Sequence, residues 1–457
     1  MNNKKIRDYV LMPALLIVSV LIIISGIKTF EFLLSTEFSN GNLQVDAFLI
    51  LLIAAPFWFL LKYVWDKVET INFKQHVEQN WPNHKFDELT GEYYEKDREI
   101  ILSSIPERKV AFYIETVINT CTRLNINDVE CIDSRVGIRR VHLTLKSGTK
   151  NLYEKICNIR PDLELALTKY PLIIKSDEDS SIFSVLIPIE KWGVVEWTKL
   201  QKETQGTSVS DFLIAIGRKD TGELFEIDLL KCPNILISGT TGSGKGMIQE
   251  SIINTLFLRL SPSSLKFIFI DPKRVQLAHF TQLPHTILPV AEKREDVLSH
   301  LQFATQEIKR RKKLFADESI SNLQDYNALK NETPPIPYII IVIDELSDLM
   351  LNQSKEMQFL LNQIALTKGC QGILTIISTS IPGSDVITKQ IKDNFPVRII
   401  GKVASKVDAE TLGIPGAEKL LGVGDAYFIK SLDSEPVLIQ GNYIDELTIK
   451  NNILKKY

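Results

Sequence analysis

One glycine-rich stretch constrains this chain more than any other: Gly239-Thr240-Thr241-Gly242-Ser243-Gly244-Lys245-Gly246, which follows the apolar run Ile235-Leu236-Ile237 after a single serine. An apolar strand, a glycine turn and a helix in that order wrap backbone N–H groups around a phosphate, and the helix N-terminus adds partial positive charge. Lys245 has the length to reach the outer phosphates of a nucleoside triphosphate as a point charge. Residues Gly239 to Gly246 are therefore read as a phosphate-binding loop (P-loop) for ATP, with Lys245 also catalytic. The pattern departs at its last position, where the Ser or Thr whose hydroxyl ligates Mg2+ is replaced by Gly246. A glycine turn without a ligand is the competing reading, and the second half of the site weighs against it.

That second half is Tyr338-Ile339-Ile340-Ile341-Val342-Ile343-Asp344-Glu345, an apolar run ending in two acids about a hundred residues after the loop. In P-loop proteins the Asp at this place holds Mg2+ and a neighbouring Glu polarises the attacking water. Asp344 is the metal-binding candidate, and Lys245, Asp344 and Glu345 form the catalytic set, with ATP and Mg2+ as cofactors. Gly246 offers Mg2+ no side-chain oxygen, so hydrolysis is less secure than binding. Apolar segments at 235–237, 267–270, 338–343, 372–378 and 397–403 alternate with helical stretches after Lys245 and over 293–316. Continuous apolar strands separated by helices predict an α/β fold, a mostly parallel sheet with helices on both faces.

Ahead of this domain the chain changes character. Residues 9–27 carry no charge and are dense in Leu, Ile and Val, about the length of a membrane span. A second span over 47–65 is reached with Lys62 snorkelling and Tyr63 and Trp65 at the interface. Lys4, Lys5, Arg7, Lys62 and Lys67 flank the pair, so the positive-inside rule places both termini in the cytoplasm and the protein in the cell membrane as a two-helix hairpin. A cleavable signal peptide is the alternative for the first span. Residues 66–105 read as a juxtamembrane linker and 106–205 as a small α+β domain. There Val110 to Leu124 has helical spacing, and Val141, Leu143 and Leu145 alternate with Arg140, His142, Thr144 and Lys146 as a half-exposed strand without visible chemistry. The ATPase domain spans 210–457.

A net charge of −3 excludes a strongly basic nucleic-acid coat, so any DNA contact is local. The basic run Lys309-Arg310-Arg311-Lys312-Lys313 lies in a predicted helix and points around its circumference, which favours a solvated or subunit-contacting face over DNA contact. The five cysteines are scattered without CxxC spacing and read as reduced thiols, and the histidines form no metal motif.

Five further segments carry a resemblance. Ile270-Asp271-Pro272-Lys273, Pro284-His285 with Leu288-Pro289-Val290, Ile343-Asp344-Glu345-Leu346-Ser347-Asp348-Leu349-Met350, Asp385-Val386-Ile387-Thr388 and Gly416-Ala417-Glu418-Lys419-Leu420-Leu421-Gly422 resemble the FtsK/SpoIIIE family of DNA-translocating motor ATPases. The likeness is close over about 210–440 and looser over the α+β segment. It implies a RecA-like motor domain, assembly as a homo-oligomeric ring, commonly a hexamer, and double-stranded DNA as substrate. Where the family carries Thr-Gln-Arg-Pro, this chain has Thr379-Ser380-Ile381-Pro382, losing a Gln that would sense the γ-phosphate. Ser321-Asn322 lacks an Arg that the family often has, leaving Arg274 and Arg398 as candidates for an arginine acting in trans. Two spans, one small domain and one motor domain look like the coupling proteins of mobile elements in Gram-positive bacteria. The resemblance thus implies a membrane-anchored translocase or coupling protein for double-stranded DNA in conjugative transfer, partnered by a relaxase and conjugation channel proteins. The chain ends soon after its last strand-like segments, leaving no room for a C-terminal winged-helix reader, which disfavours a chromosome-resolving role; a translocase partitioning chromosome or plasmid DNA is the alternative within the same fold. A non-hydrolysing nucleotide-binding membrane tether for DNA is another alternative, and a secretion ATPase for protein substrates, which would usually carry several motor domains, is a disfavoured third.

Overall fold

The computed structural model describes residues 84–86, 93–95 and 105–457, apart from 150, 169, 178, 180, 191, 205–209, 331–334, 351–354 and 432–433. Both expected membrane spans lie outside the described residues, among which no helix is long and apolar enough to cross a membrane. The chain divides into two compact units, Met1–Asp97 and Arg98–Tyr457. In the first, β1 (His84–Phe86) and β2 (Tyr93–Glu95) pair antiparallel. Everything below concerns the second.

That unit begins with α1 (Glu107–Arg123), where Tyr113, Val117 and Cys121 recur every fourth residue and are buried on one face. This face packs on a four-stranded antiparallel sheet of order β3-β4-β6-β5, formed by β3 (Glu130–Val136), β4 (Arg140–Lys146), β5 (Ile173–Ser176) and β6 (Ile182–Pro188). Helices α2 (Leu152–Asn158) and α3 (Arg160–Leu167) connect β4 to β5. Val141, Leu143 and Leu145 face this core, as the alternation predicts. The polar side of β4 departs from the expected exposure: Arg140 is fully buried and His142 partly so. The opposite face of the small sheet meets the large one, where Ile173 and Leu186 join Tyr427, Ile429 and Leu438 in one apolar cluster.

After α4 (Trp197–Thr204) the chain builds a nine-stranded sheet. Its strands are β7 (Leu213–Lys219), β8 (Leu224–Asp228), β9 (Asn234–Ser238), β10 (Leu265–Ile270) and β11 (Tyr338–Ile343), then β12 (Ile373–Thr379), β13 (Val397–Gly401), β14 (Asp425–Ile429) and β15 (Val437–Gly441). The order is β10-β11-β12-β9-β13-β14-β15-β7-β8. Pairings from β10 through β13 are parallel, whereas those from β13 out to β8 are antiparallel. The sheet is therefore mixed rather than mostly parallel. The short β7–β8 connection cannot carry a helical crossover, so those strands pair as a hairpin.

Strand β11 shows why its residues are apolar throughout. Ile339, Ile341 and Ile343 pack with Val297, Leu301 and Ile308 of α6, whereas Ile340 and Val342 pack with Ile252, Leu256 and Phe257 of α5. Both faces are covered, so no position can be polar. Helices α5 (Lys245–Arg259) and α6 (Arg294–Asp317) thus bracket the parallel half, followed by α7 (Leu323–Leu329), α8 (Leu346–Met350) and α9 (Lys355–Ala365).

Candidate nucleotide-binding site

Parallel strands turn all their C-terminal ends to one edge, which is where ligands bind in open α/β sheets. The P-loop leaves β9 at that edge, Asp344 and Glu345 leave β11, and Thr379 and Ser380 close β12, which lies between them. Gly244 caps α5 with φ 97°, and a Cβ there would lie 2.5 Å from Gly424 N, so conformation and space both require glycine. Helix geometry leaves the first-turn amides of α5 without intrahelical acceptors. Thr240 N donates to Lys402 O at 2.8 Å, tying the loop to the end of β13, while Thr241 and Gly242 are exposed. Ser243 Oγ is buried with no partner among the described residues. A glycine cradle, helix amides and an unpaired buried hydroxyl fit the phosphates of a nucleotide.

The acids are held differently from one another. Asp344 Oδ1 accepts from Ser378 Oγ at 2.6 Å, and burial raises its carboxyl above the usual range. Glu345 stands at φ 56°, a left-handed conformation that costs a non-glycine residue energy. Its Oε1 accepts from Ser347 Oγ at 2.6 Å, Ser380 N at 2.8 Å and Thr379 Oγ1 at 3.3 Å, and its Oε2 from Ser380 Oγ at 2.6 Å. Burial alone would raise Glu345, but the hydrogen bonds from Ser347 and Ser380 outweigh it and hold the carboxyl below the usual range. Lys245 acts on both carboxylates as a nearby positive charge. The hard carboxylate oxygens of Asp344 beside the phosphate cradle fit Mg2+. The structure thus brings Gly239 to Gly246, Lys245, Asp344 and Glu345 to one edge of the sheet.

Residues 198–384 match the FtsK/SpoIIIE family. This stretch is an FtsK/SpoIIIE domain. Over 316 residues, 68% of the chain, the sequence is 35% identical to DNA translocase FtsK of Clostridium acetobutylicum, of which it covers 41%. It is 34% identical to DNA translocase SftA of Bacillus subtilis over 68% of the chain and 33% of that relative. The chain therefore spans well under half the length of these curated relatives. Among solved structures, the pCW3 conjugation coupling protein TcpA, in its monomer form with ATPγS, shares the fold with a TM-score of 0.54. That match has 23% identity and covers 75% of this chain and 99% of TcpA.

Sequence reasoning missed what stands behind the P-loop of the FtsK/SpoIIIE domain. Arg139 and Arg140, at the start of β4, are both fully buried. Arg139 Nη1 donates to Gln440 Oε1 at 2.7 Å and to the carbonyls of Gly422 and Val423 at 3.3 Å, and its guanidinium lies 4.0 Å from the Trp192 ring centre. Arg140 forms a two-pronged ion pair with Asp425, with Nη1 to Oδ1 at 2.8 Å and Nη2 to Oδ2. The segment they clamp touches the P-loop backbone: Val423 N donates to Gly242 O at 3.0 Å and Gly424 N to Ser243 O at 2.7 Å. Two adjacent arginines opening an alternating strand were the available signal. A pocket of about 750 Å³ adjoins the loop, lined in part by Trp192, Gly242, Met247, Val423 and Tyr443.

One of the two arginine expectations changes. Arg398 is 1% exposed and donates to the carbonyls of Phe395, Leu412 and Lys392, so it is a buried brace and cannot reach a neighbouring subunit. Arg274 is exposed and pairs with Glu292 at 3.1 Å. In the basic run of α6, Arg311 is buried against Glu307 and Gln371 O, whereas Lys309, Arg310, Lys312 and Lys313 are exposed.

Proposed function

We propose that this chain is a membrane-anchored, ATP-driven translocase or coupling protein that moves or delivers double-stranded DNA in conjugative transfer of a mobile element. The observation that carries the proposal is the joint placement of the P-loop, Lys245, Asp344 and Glu345 on neighbouring strand ends inside an FtsK/SpoIIIE domain. In this reading the first-turn amides of α5, Ser243 and Lys245 hold the phosphates, and the base enters the pocket beside Trp192 and Tyr443. Asp344, oriented by Ser378, would hold Mg2+. Mg2+, when bound with the nucleotide, would offset charge developing on the phosphates. Glu345, fixed by Ser347, Thr379 and Ser380, orients the water and receives its proton. Arg274, exposed near this edge, is the candidate to act on a neighbouring subunit in a ring, commonly a hexamer. The conjugative setting unites the fold shared with a coupling protein and two N-terminal spans with both termini in the cytoplasm. A relaxase and channel proteins are the partners this setting calls for.

Phosphate release by the full chain in detergent, with and without duplex DNA, tests the proposal. DNA should stimulate release, Lys245→Ala should lose nucleotide binding, and Glu345→Gln should keep binding while losing turnover. A wild type that binds ATP and releases no phosphate with DNA would establish the second reading, a non-hydrolysing tether. That reading draws on the four hydrogen bonds already saturating Glu345. For the topology, Asn40→Cys should label from outside the cell, and external labelling at the C-terminus would overturn it.

A further inference from the structure

The last P-loop position is open for a reason that lies in another segment. A Cβ built on Gly246 would meet the Gln276 side chain, at 2.7 Å from Cδ, 2.7 Å from Nε2 and 2.8 Å from Oε1. The whole carboxamide therefore stands where a Ser or Thr side chain would begin. Such a residue and this Gln276 conformation exclude one another, so the glycine and the glutamine form a matched pair.

Gln276 does not reach that place by chance of a mobile surface chain. It belongs to the loop after β10, which the fully buried Asp271 shapes from within: Oδ1 accepts from Lys273 N at 3.2 Å and Oδ2 from Leu277 N at 2.9 Å. Leu277, the next residue, is fully buried and anchors the loop. Gln276 also faces Glu250, which is 4% exposed and lies four residues after Gly246 on the same face of α5; burial pushes this carboxyl up to about 8, and the Gln276 amide pulls it down. The amide carries both an N–H2 that donates and a carbonyl oxygen that accepts, and the two stand about equally close to the Gly246 position. A carbonyl is a hard, neutral oxygen, as a Ser or Thr hydroxyl is, so the exchange preserves both donor type and charge beside the phosphates.

We propose that Gln276 supplies, against Gly246, the side-chain oxygen that the P-loop lacks for Mg2+, and so serves as a metal-positioning residue of the nucleotide site. The proposal rests on the ATP-binding reading above. It deepens that reading by locating the missing polar group outside the loop.

The test measures affinity of the full chain in detergent for a fluorescent ATP analogue, in EDTA and across a Mg2+ titration. Gln276→Met keeps the volume and removes the oxygen. It should raise the Mg2+ concentration giving half-maximal tight binding by about tenfold and leave the affinity in EDTA unchanged. Gln276→Asn, whose amide is withdrawn by one methylene, should shift the midpoint in the same direction. Gly246→Ser combined with Gln276→Ala should return it toward the wild-type value, because the serine then has both room and a hydroxyl. An unchanged midpoint in Gln276→Met and Gln276→Asn overturns the inference, and so does an equal loss of affinity with and without Mg2+, which marks packing alone. A wild type that binds no nucleotide takes the ATP-binding reading down with it, whereas wild-type binding with insensitive variants removes the inference alone.

Discussion

Replacing Arg140 with Met tests whether the small sheet supports the P-loop through the 421–424 segment. Arg140 and Asp425 are both at most 1% exposed, so the substitution strands a carboxylate in the interior. Breaking a buried pair by removing one partner costs about 3–5 kcal/mol. Leu421 N still donates to Asp425 Oδ2 at 2.7 Å, which places the loss at the lower end. About 3 kcal/mol corresponds to roughly 150-fold in the unfolding constant. Asp425→Asn in the Arg140→Met background removes the stranded charge and keeps an acceptor for Leu421 N, so about 2 kcal/mol should return. Urea unfolding followed by tryptophan fluorescence reads both quantities, since Trp192 stacks on Arg139 against the small-sheet core and Trp197 is buried in the core of the large sheet. Nucleotide affinity should fall in the single variant and recover in the double, because Val423 and Gly424 bond directly to the P-loop carbonyls. A single variant within about 0.5 kcal/mol of wild type, or a double variant no better than the single, refutes the clamp.

Other consequences follow from named contacts. Ser380→Ala removes the hydroxyl donor to Glu345 Oε2, so the carboxylate becomes more basic, and DNA-dependent phosphate release should rise about two- to fivefold; an unchanged or lower rate counts against restraint of Glu345 by Ser380. Burial pushes His285 from 6.5 down to about 4. Between these values the unfolded chain binds a proton that the folded chain refuses, so stability is fully present above pH 6.5 and falls as the pH drops toward 4. His285→Gln keeps a donor for Leu260 O and should shrink the difference between urea midpoints at pH 7 and pH 5; an unchanged difference assigns the acid sensitivity to other groups. DNA binding by a chain of net charge −3 should be independent of sequence and weaken steeply with salt, and strong preference for one duplex at moderate salt would count against backbone tracking. Arg274→Ala should lower phosphate release in the assembled ring while leaving nucleotide affinity intact, and a loss of affinity instead would make it part of its own subunit's site.

The parallel half of the sheet was legible because burial on both faces narrows the pattern: β9, β11 and β12 are buried at nearly every position, carry apolar runs at 235–237, 339–343 and 376–377, and end in the P-loop, the acids and Thr379-Ser380. Its antiparallel half was less so. Strand β8 reads Leu-Phe-Glu-Ile-Asp and β7 ends in Gly-Arg-Lys, patterns that also fit a linker. The buried face of β4 was invisible for a related reason. Alternation of Val141 and Leu143 with Arg140 and His142 records that one side is polar, and a polar side is solvated unless partners are supplied from afar. Here they come from distant segments: Asp220 accepts from Arg139 N at 3.0 Å and pairs with His142 at 2.6 Å, while Asp425 takes Arg140. Pairing across such separations leaves no local spacing to read.

The departures from the family pattern gain a different meaning from their surroundings. A site decaying by drift loses side chains and keeps the gaps, because nothing selects a replacement contact. At Gly246 the space is filled by Gln276, whose own loop is braced by a buried aspartate. At the position of the missing Gln, Ser380 makes two bonds to Glu345, one from its backbone and one from its hydroxyl. Both changes put a polar group back at the edge where the P-loop and the acids meet, and both lower its freedom to move. On the proposed reading, a site altered in this way would trade speed for control: Glu345 is held ionised but restrained, and the metal position would depend on a loop outside the P-loop. If the chain is the translocase proposed above, it would be suited to waiting with nucleotide bound until contact with DNA or a neighbouring subunit shifts the β10 loop or releases Glu345.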